Sequence, residues 1–504
     1  MTHQRLPKAG AARETLREKG QFWTPDWVAE AMVGYVLSAG SNHVFDPAVG
    51  AGAFFRAAKV ISSRVGLPVR LLGTEVFPDA LTGAREQGLS EADLANVHIT
   101  DFILNPPPGP FSSIVANPPY IRHHRLPADL KGRLKVLAKQ VIGAPLDGRA
   151  GLHIYFLIRA LERLAPGGRL AFIMPADTCE GVFAPTLWRW ITQHYRLDAV
   201  ITFEHDASPF PGIDTNALVF MLRKDPSQPA FLWARCQARG EFLTNWVMGG
   251  FKNPEHGLIV LLRRLDEALS TGLSRPPINR SLGTPILNDF ATVLRGIATG
   301  ANEFFFLTKR RAKELGIPPE FFVHAIGRTR DVVGDTITED RLKELDAAGR
   351  PTLLLSLDSR MFNNFPLPVR EYIRQGEKME LPSRTLIASR RPWYKMETRR
   401  PPSYLFAYLG RRNARFVRNT AGVVPLTGFL CVYPRKTDHD YIEKLWRVLN
   451  HPDTIANLSL VGKSYGGGAI KVEPRALERL PLSAHVLTEV GLEAPVKDVQ
   501  LVAF

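Results

Sequence analysis

Apolar, β-rich runs recur along the first 225 residues, with amphipathic stretches between several of them. The runs are His43–Phe45, Val69–Gly73, Val97–Ile99, Ser113–Ala116, Arg169–Met174, Asp198–Phe203 and Ala217–Leu222. Gly52–Val65, Gly151–Leu164 and Ala184–His194 carry the spacing of helices that bury one face. This alternation predicts an α/β domain over 1–225, with a mostly parallel sheet covered by helices on both faces. The last two runs are joined without a clear helix, which predicts an antiparallel edge strand. Asp225-Pro226-Ser227-Gln228-Pro229 then punctuates the chain. A connector is expected over 226–279. A mixed α+β domain rich in Pro, Arg and aromatics is expected over 280–484, and a tail without readable function over 485–504.

Composition narrows the class. Of 504 residues, 45% are hydrophobic and 22% charged, the balance of an ordinary globular chain. No apolar run approaches the roughly 18 residues of a spanning helix, and no secretory signal opens the chain. Cys179, Cys236 and Cys431 lie far apart, so neither a disulfide framework nor structural zinc is expected, and a cytoplasmic location is. The net charge of +15 is uneven. Residues up to Asp225 hold 24 basic and 21 acidic side chains, and the remainder 40 and 28. A basic half beside a near-neutral half points to a polyanion-binding module joined to something else.

Candidate chemistry lies at successive strand ends. Asp46-Pro47-Ala48-Val49-Gly50-Ala51-Gly52 closes the first strand and opens a helix. Its glycines allow close backbone approach to a ligand at a helix N-terminus. Glu75, followed by Val76, ends the second strand, where a carboxylate binds ribose hydroxyls. Asp101-Phe102 ends the third strand and suits an adenine, the acid accepting from the amine and the ring packing on its face. Each alone fits a solvated acid or a core aromatic equally well. Their register at the carboxyl ends of a sheet is what points to a ligand.

Asn117-Pro118-Pro119-Tyr120 follows the fourth strand. The amine of an adenine or an amide is a poor nucleophile because its lone pair is delocalised. The Asn117 side-chain oxygen and the Pro118 carbonyl can both accept from that NH₂ and localise the pair. The two prolines stiffen the loop, and Tyr120 offers a face for stacking.

In this order, these motifs resemble the S-adenosylmethionine-dependent amino-methyltransferases with an NPPY motif, in particular the Taq-type (gamma) adenine DNA methyltransferases. Gly20-Gln21-Phe22-Trp23-Thr24-Pro25 looks like that family's N-terminal cofactor motif, Leu161–Pro175 like its helix and fifth strand, and Phe210–Asn216 like its loop before the antiparallel strand. Gly296–Phe305 and Gly466–Pro481 resemble the start and end of its target-recognition domain. The resemblance implies a Rossmann-like class I methyltransferase sheet, S-adenosylmethionine as cofactor, no metal, and duplex DNA as partner. It also implies Phe210 on the second face of a flipped adenine. A restriction–modification context follows by analogy, with the chain acting as a monomer. The nineteen residues before Gly20 are too few for a nuclease domain, so a restriction endonuclease is expected on a separate chain.

Two stretches would meet DNA. Arg122, His123, His124 and Arg125 directly follow the catalytic loop, with Lys131, Arg133, Lys135 and Lys139 beyond, cations suited to phosphates or to an exposed basic helix. Between Arg384 and Arg418, ten basic residues and one acid interleave with aromatics, and Arg390, Arg391, Trp393 and Tyr394 are the candidates there. The same pattern also fits aromatics forming a core with cations on its solvated face. Lys463, Gly467 and Lys471 complete the set, around a glycine run that suits close approach to DNA or a tight hairpin. Methylation of ribosomal RNA adenine, methylation of a protein glutamine, and a non-catalytic DNA-binding subunit are the alternatives.

Overall fold

The computed structural model describes residues 23–493, apart from 39, 205, 211–215, 278–283, 408–413 and 466–468. The chain divides into two compact units at the 278/279 boundary.

The first unit is built on nine strands: β1 (His43–Asp46), β2 (Arg70–Glu75), β3 (Val97–Ile99), β4 (Phe111–Ala116), β5 (Leu164–Pro175), β6 (Arg196–Phe203), β7 (Ala217–Arg223), β8 (Ala230–Cys236) and β9 (Leu258–Arg264). Their order is β3-β2-β1-β4-β5-β7-β6-β8-β9. Strands β1 to β5 run parallel to one another, and β7 runs antiparallel to both β5 and β6. The seven apolar runs and three amphipathic stretches named above all form the elements expected of them.

Both faces of the sheet are buried, and side-chain alternation shows why. Leu170, Phe172 and Met174 of β5 and Leu218, Phe220 and Leu222 of β7 pack on one side. Ala171 and Ile173 of β5 with Ala217, Val219 and Met221 of β7 pack on the other. Helix α1 (Asp26–Leu37) and α2 (Ala53–Val65) cover this second face, while α3 (Ala128–Ile142), α4 (Leu152–Glu162) and α5 (Ala184–His194) cover the first.

Two expectations are corrected. Strand β7 is antiparallel but interior, because β6, β8 and β9 pair beyond it, so the antiparallel edge strand is β9. Residues 226–279 are therefore no connector. They add two strands and the short helices Phe242–Met248 and Leu265–Thr271 to the first unit. Strand β8 alternates buried and half-buried residues, and Trp233 and Cys236 lie in the cores on opposite faces. Without motifs, that alternation was the only available signal.

The second unit is mixed α+β. It holds a five-stranded sheet, a four-stranded sheet and a two-stranded ladder. Helices His439–Leu449 and Pro452–Val461 pack beside the five-stranded sheet.

Candidate active site

The site is assembled at the carboxyl ends of β1, β2, β3 and β4. Gly50 (φ 52°) and Gly52 (φ 73°) both adopt the left-handed conformation that side chains disfavour. A Cβ on Gly52 would come within 2.2 Å of the Leu89 side chain, whereas one on Gly50 would meet nothing closer than 3.8 Å. Gly52 is thus fixed by packing, while Gly50 faces open space. Replacing Gly52 with Ala is expected to destabilise the unit by about 1–3 kcal/mol through strain and overpacking, read as a lower midpoint in chemical denaturation.

Asp46 is fully buried. Its Oδ1 accepts from the Ala48 N–H at 2.9 Å, and its Oδ2 has no hydrogen-bond partner. Burial pushes its carboxyl up to about 8; the Ala48 bond opposes the shift and the charge of Glu75 adds to it. A buried carboxyl with one orphaned oxygen beside a glycine turn is built to meet a cation or donor of a ligand.

Glu75 is held by three backbone donors. Gly50 N–H reaches Oε2 at 2.9 Å, and Val76 and Phe77 N–H reach Oε1 at 2.9 and 3.0 Å. A carboxylate has about four acceptor sites, so one remains on a carboxylate already oriented by the backbone. Asp101 accepts from Ile103 and Leu104 N–H, both through Oδ1.

Phe102 departs from expectation. Its ring is 1% exposed, stacked on Phe156 at 5.8 Å and tilted against Phe45 at 5.7 Å. It belongs to the core because it follows Asp101 into the turn with its side chain under the sheet. The exposed apolar groups at the pocket are Val76, which was expected there, and Phe77, which was not. No pattern in the sequence separated Phe77 from a core aromatic.

The catalytic loop leaves β4 at Asn117. Asn117 Nδ2–H donates to Thr24 Oγ1 at 3.2 Å, with the amide oxygen turned to the other side. Thr24 is buried and Pro25 caps α1, so the segment before that helix braces the loop. The Ile121 N–H closes a turn onto the Pro119 carbonyl. Tyr120 is half-buried, and its hydroxyl donates to the Ile173 carbonyl at 3.1 Å.

Phe210 does lie beside Tyr120, with ring centroids 6.4 Å apart, but edge-on at 81°. Two parallel rings enclosing a base stand about 7 Å apart, so this arrangement is not yet a sandwich. The loop residues 211–215 that follow lie outside the described residues.

The sequence reading missed His153. It sits on α4, 4% exposed, edge-on to Tyr120 at 5.9 Å, with Asp177 3.6 Å from its Nε2. Gly151 makes this possible, since a Cβ there would come within 2.6 Å of the imidazole and 2.9 Å of the Ile121 carbonyl. A lone His on an apolar helix carried no signal by itself.

The expected DNA contacts divide. Arg122 and Arg125 are exposed and His123 is half-buried, beside the catalytic loop. Partial burial, then the charges of His124, Lys131 and Arg149, lower the His123 pKa, a mark of local positive potential. Lys131, Arg133, Lys135 and Lys139 are exposed on α3.

In the second unit three assignments are corrected. Trp393 packs on Phe304 and Phe305, and Tyr394 is buried with its hydroxyl bonded to the Arg360 carbonyl. Arg390 fastens the loop Ala298–Thr299 through two carbonyls at 2.8 Å and lies over Phe305. Tyr394 belongs to the buried cluster of this unit, and the half-buried Trp393 packs against it. Arg391 is exposed, with Nη1 turned back onto the Ala388 and Arg390 carbonyls. The backbones of Lys463 and Lys471 pair in register in the antiparallel two-stranded ladder, and the glycine run between its strands lies outside the described residues. Gly467, Tyr408, Arg411, Arg412, Gly20–Phe22 and the end of the tail lie outside the described residues.

Trp393→Ala, at a half-buried ring, is therefore expected to cost about 1–3 kcal/mol of stability, measured by urea denaturation. Base specificity is expected to stay unchanged.

Comparison with known proteins agrees with this architecture. The N-6 DNA methylase family model matches residues 9–235, and the C-terminal domain model of the type II methyltransferase M.Eco57I matches residues 277–501. The type II methyltransferase M.AccI of Acinetobacter calcoaceticus is 24% identical over 92% of this chain and 85% of its own. M.XamI of Xanthomonas campestris pv. amaranthicola is 24% identical over 94% and 85%. Among solved structures, the type IIL restriction-modification enzyme MmeI shares the fold, with a TM-score of 0.50 and 12% identity over 94% of this chain. This chain spans 64% of that enzyme, less than two thirds of its length. With a glycine turn, a strand-end glutamate and an Asn-Pro-Pro-Tyr loop set on the sheet described above, residues 9–235 belong to the N-6 DNA methylase family and residues 277–501 form a domain of the M.Eco57I C-terminal type, the two parts of an adenine DNA methyltransferase.

Proposed function

We propose that this chain transfers a methyl group from S-adenosylmethionine to the exocyclic amine of an adenine rotated out of duplex DNA, within one short recognition sequence. The observation that carries this reading is the Asn117 amide, locked by Thr24 at the end of β4 in a proline-stiffened loop. When bound, S-adenosylmethionine supplies a methyl carbon already activated by its sulfonium.

The protein's own residues do the rest. Asp46 and Glu75 hold the cofactor's cationic end and its ribose, while Asp101, Val76 and Phe77 surround its adenine. The Asn117 side-chain oxygen and the Pro118 carbonyl accept from the target amine and aim its lone pair. Nitrogen gains the carbon as sulfur keeps the departing electron pair, and the amine's extra proton passes to water. Tyr120 takes one face of the target base. Phe210 takes the other by turning from its edge-on position. Rotating the base out of the stack costs a few kcal/mol.

Arg122, His123, Arg125 and the α3 cations hold phosphates near the target, and the second unit reads the sequence. No helix among the described residues is long and apolar enough to cross a membrane. The chain works as a monomer in the cytoplasm, on nucleoid DNA, beside a separately encoded restriction endonuclease.

Incubation with labelled S-adenosylmethionine tests the reading. Label is expected in duplex DNA as 6-methyladenine, and not in ribosomal RNA or release-factor protein. Arg125→Ala is expected to lower the salt slope of DNA binding by about one unit of log K per log salt, with equal effect on cognate and unrelated duplexes.

A further inference from the structure

Three arginines stand in register across three neighbouring strands, at the end of the sheet away from the glycine turn. Arg169 of β5 pairs with Arg223 of β7, which pairs with Arg196 of β6. Directly paired residues point to the same face, and like charges so placed repel.

One buried acid answers them. Asp198 lies at the irregularity in β6 between Leu197 and Ala199, where the extra residue re-aims a side chain. Its Oδ2 accepts from Arg223 Nη2 and from the Tyr35 hydroxyl, each at 2.7 Å, and its Oδ1 lies 2.7 Å from Arg196 Nε. Asp225 at the rim is 3.5 Å from Arg223. Positive charge remains in excess.

That excess has unused donors. Arg169 supplies charge and not a free donor, since its Nη1 bonds the Tyr35 carbonyl and the Ser38 hydroxyl and its Nε is enclosed; the open donors are those of Arg196 and Gln228. Among the described residues, the terminal nitrogens of Arg196 and the exposed amide of Gln228 have no partner. These groups line a cavity of about 390 Å³ whose other wall is apolar, formed by Leu232, Val247, Met248 and Phe251. The volume falls within the usual range for a small-molecule site.

The geometry points to a second ligand site here: an oxyanion pocket that takes a phosphomonoester carried on a small apolar or planar body. Guanidinium forks match a phosphate bidentately, and its three terminal oxygens can take donors from Arg196, Arg223 and Gln228 together where a carboxylate offers two. The apolar wall takes the body. The site is formed wholly within the first unit, and none of its residues serves the methyl transfer.

Calorimetric titration of the full chain tests this, with a saturating cofactor analogue keeping the probe out of the cofactor pocket. Phenyl phosphate is expected to bind saturably at one site. Arg196→Gln is expected to weaken it at least about tenfold, as the loss of a charge-assisted hydrogen bond does, and Arg196→Lys to weaken it less. Asn117→Ala is expected to leave it unchanged. Gln228→Ala, on the exposed rim, is a second variant that keeps the fold and should also weaken binding. No binding of phenyl phosphate, or the same affinity in Arg196→Gln and Gln228→Ala, would overturn the proposal. So would equal affinity for benzoate, or displacement of the probe by a duplex lacking terminal phosphates, which would assign the pocket to the DNA backbone.

Discussion

Replacing Asn117 with Ala is expected to abolish methyl transfer while leaving DNA and cofactor binding within about twofold of the parent. The amide does nothing for the ground state that water could not do. Its oxygen accepts from an amine whose N–H bonds become more acidic as the nitrogen attacks, so the bond strengthens in the transition state. Losing one preorganised partner of this kind lowers kcat by on the order of 10²–10³, and losing the aim of the nucleophile adds to that. Thr24 Oγ1 accepts from the amide Nδ2–H and helps hold the side chain in place. Thr24→Val is accordingly expected to give a smaller fall in kcat with little change in KM. Single-turnover assays with equilibrium DNA binding separate the two steps. Lost binding with residual transfer in Asn117→Ala would contradict the assigned role.

The second large effect belongs to Asp46. Its folded-state carboxyl titrates at about 8, against an ordinary value of 3.8. The folded apo protein therefore keeps this proton through a range in which the unfolded chain has released it. The unfolded chain binds fewer protons between those values, so this group makes stability fall as pH rises from about 4 to 8. A cofactor that presents a cation to the orphaned Oδ2 selects the ionised carboxylate and expels the proton. Affinity for S-adenosylmethionine should then rise with pH between 6 and 8, by at most tenfold per unit. In Asp46→Asn, affinity should be low and that dependence flattened. Calorimetry in buffers of different ionisation enthalpy would count the released proton directly. A parent affinity that stays level from pH 6 to 8 would remove Asp46 from the cofactor's charged end.

Much of this was legible in the residues. Each of the seven apolar runs named in the first 225 residues became a strand, as expected of a sheet buried on both faces. Asp46, Glu75, Asp101 and Asn117 fell at strand ends because each is a polar residue closing such a run. What escaped was set by tertiary packing. Strands β8 and β9 carry no motif, and only their pairing beyond β6 places them in the sheet. Phe102, Trp393 and Tyr394 look like ligand-facing aromatics in sequence and prove to be core, since sequence gives the type of a side chain but not its direction. His153 and the arginine ladder come together only through register. Arg169, Arg196 and Arg223 are far apart in the chain and adjacent across the sheet.

One measurement tests the central claim most directly. DNA from a methylation-deficient host expressing this protein would be read by single-molecule sequencing, with the Asn117→Ala chain expressed in parallel. The account predicts 6-methyladenine recurring at one position of a single short motif with the parent chain, and none with the variant. Unmodified DNA from cells in which the parent chain transfers label to RNA or protein would contradict it.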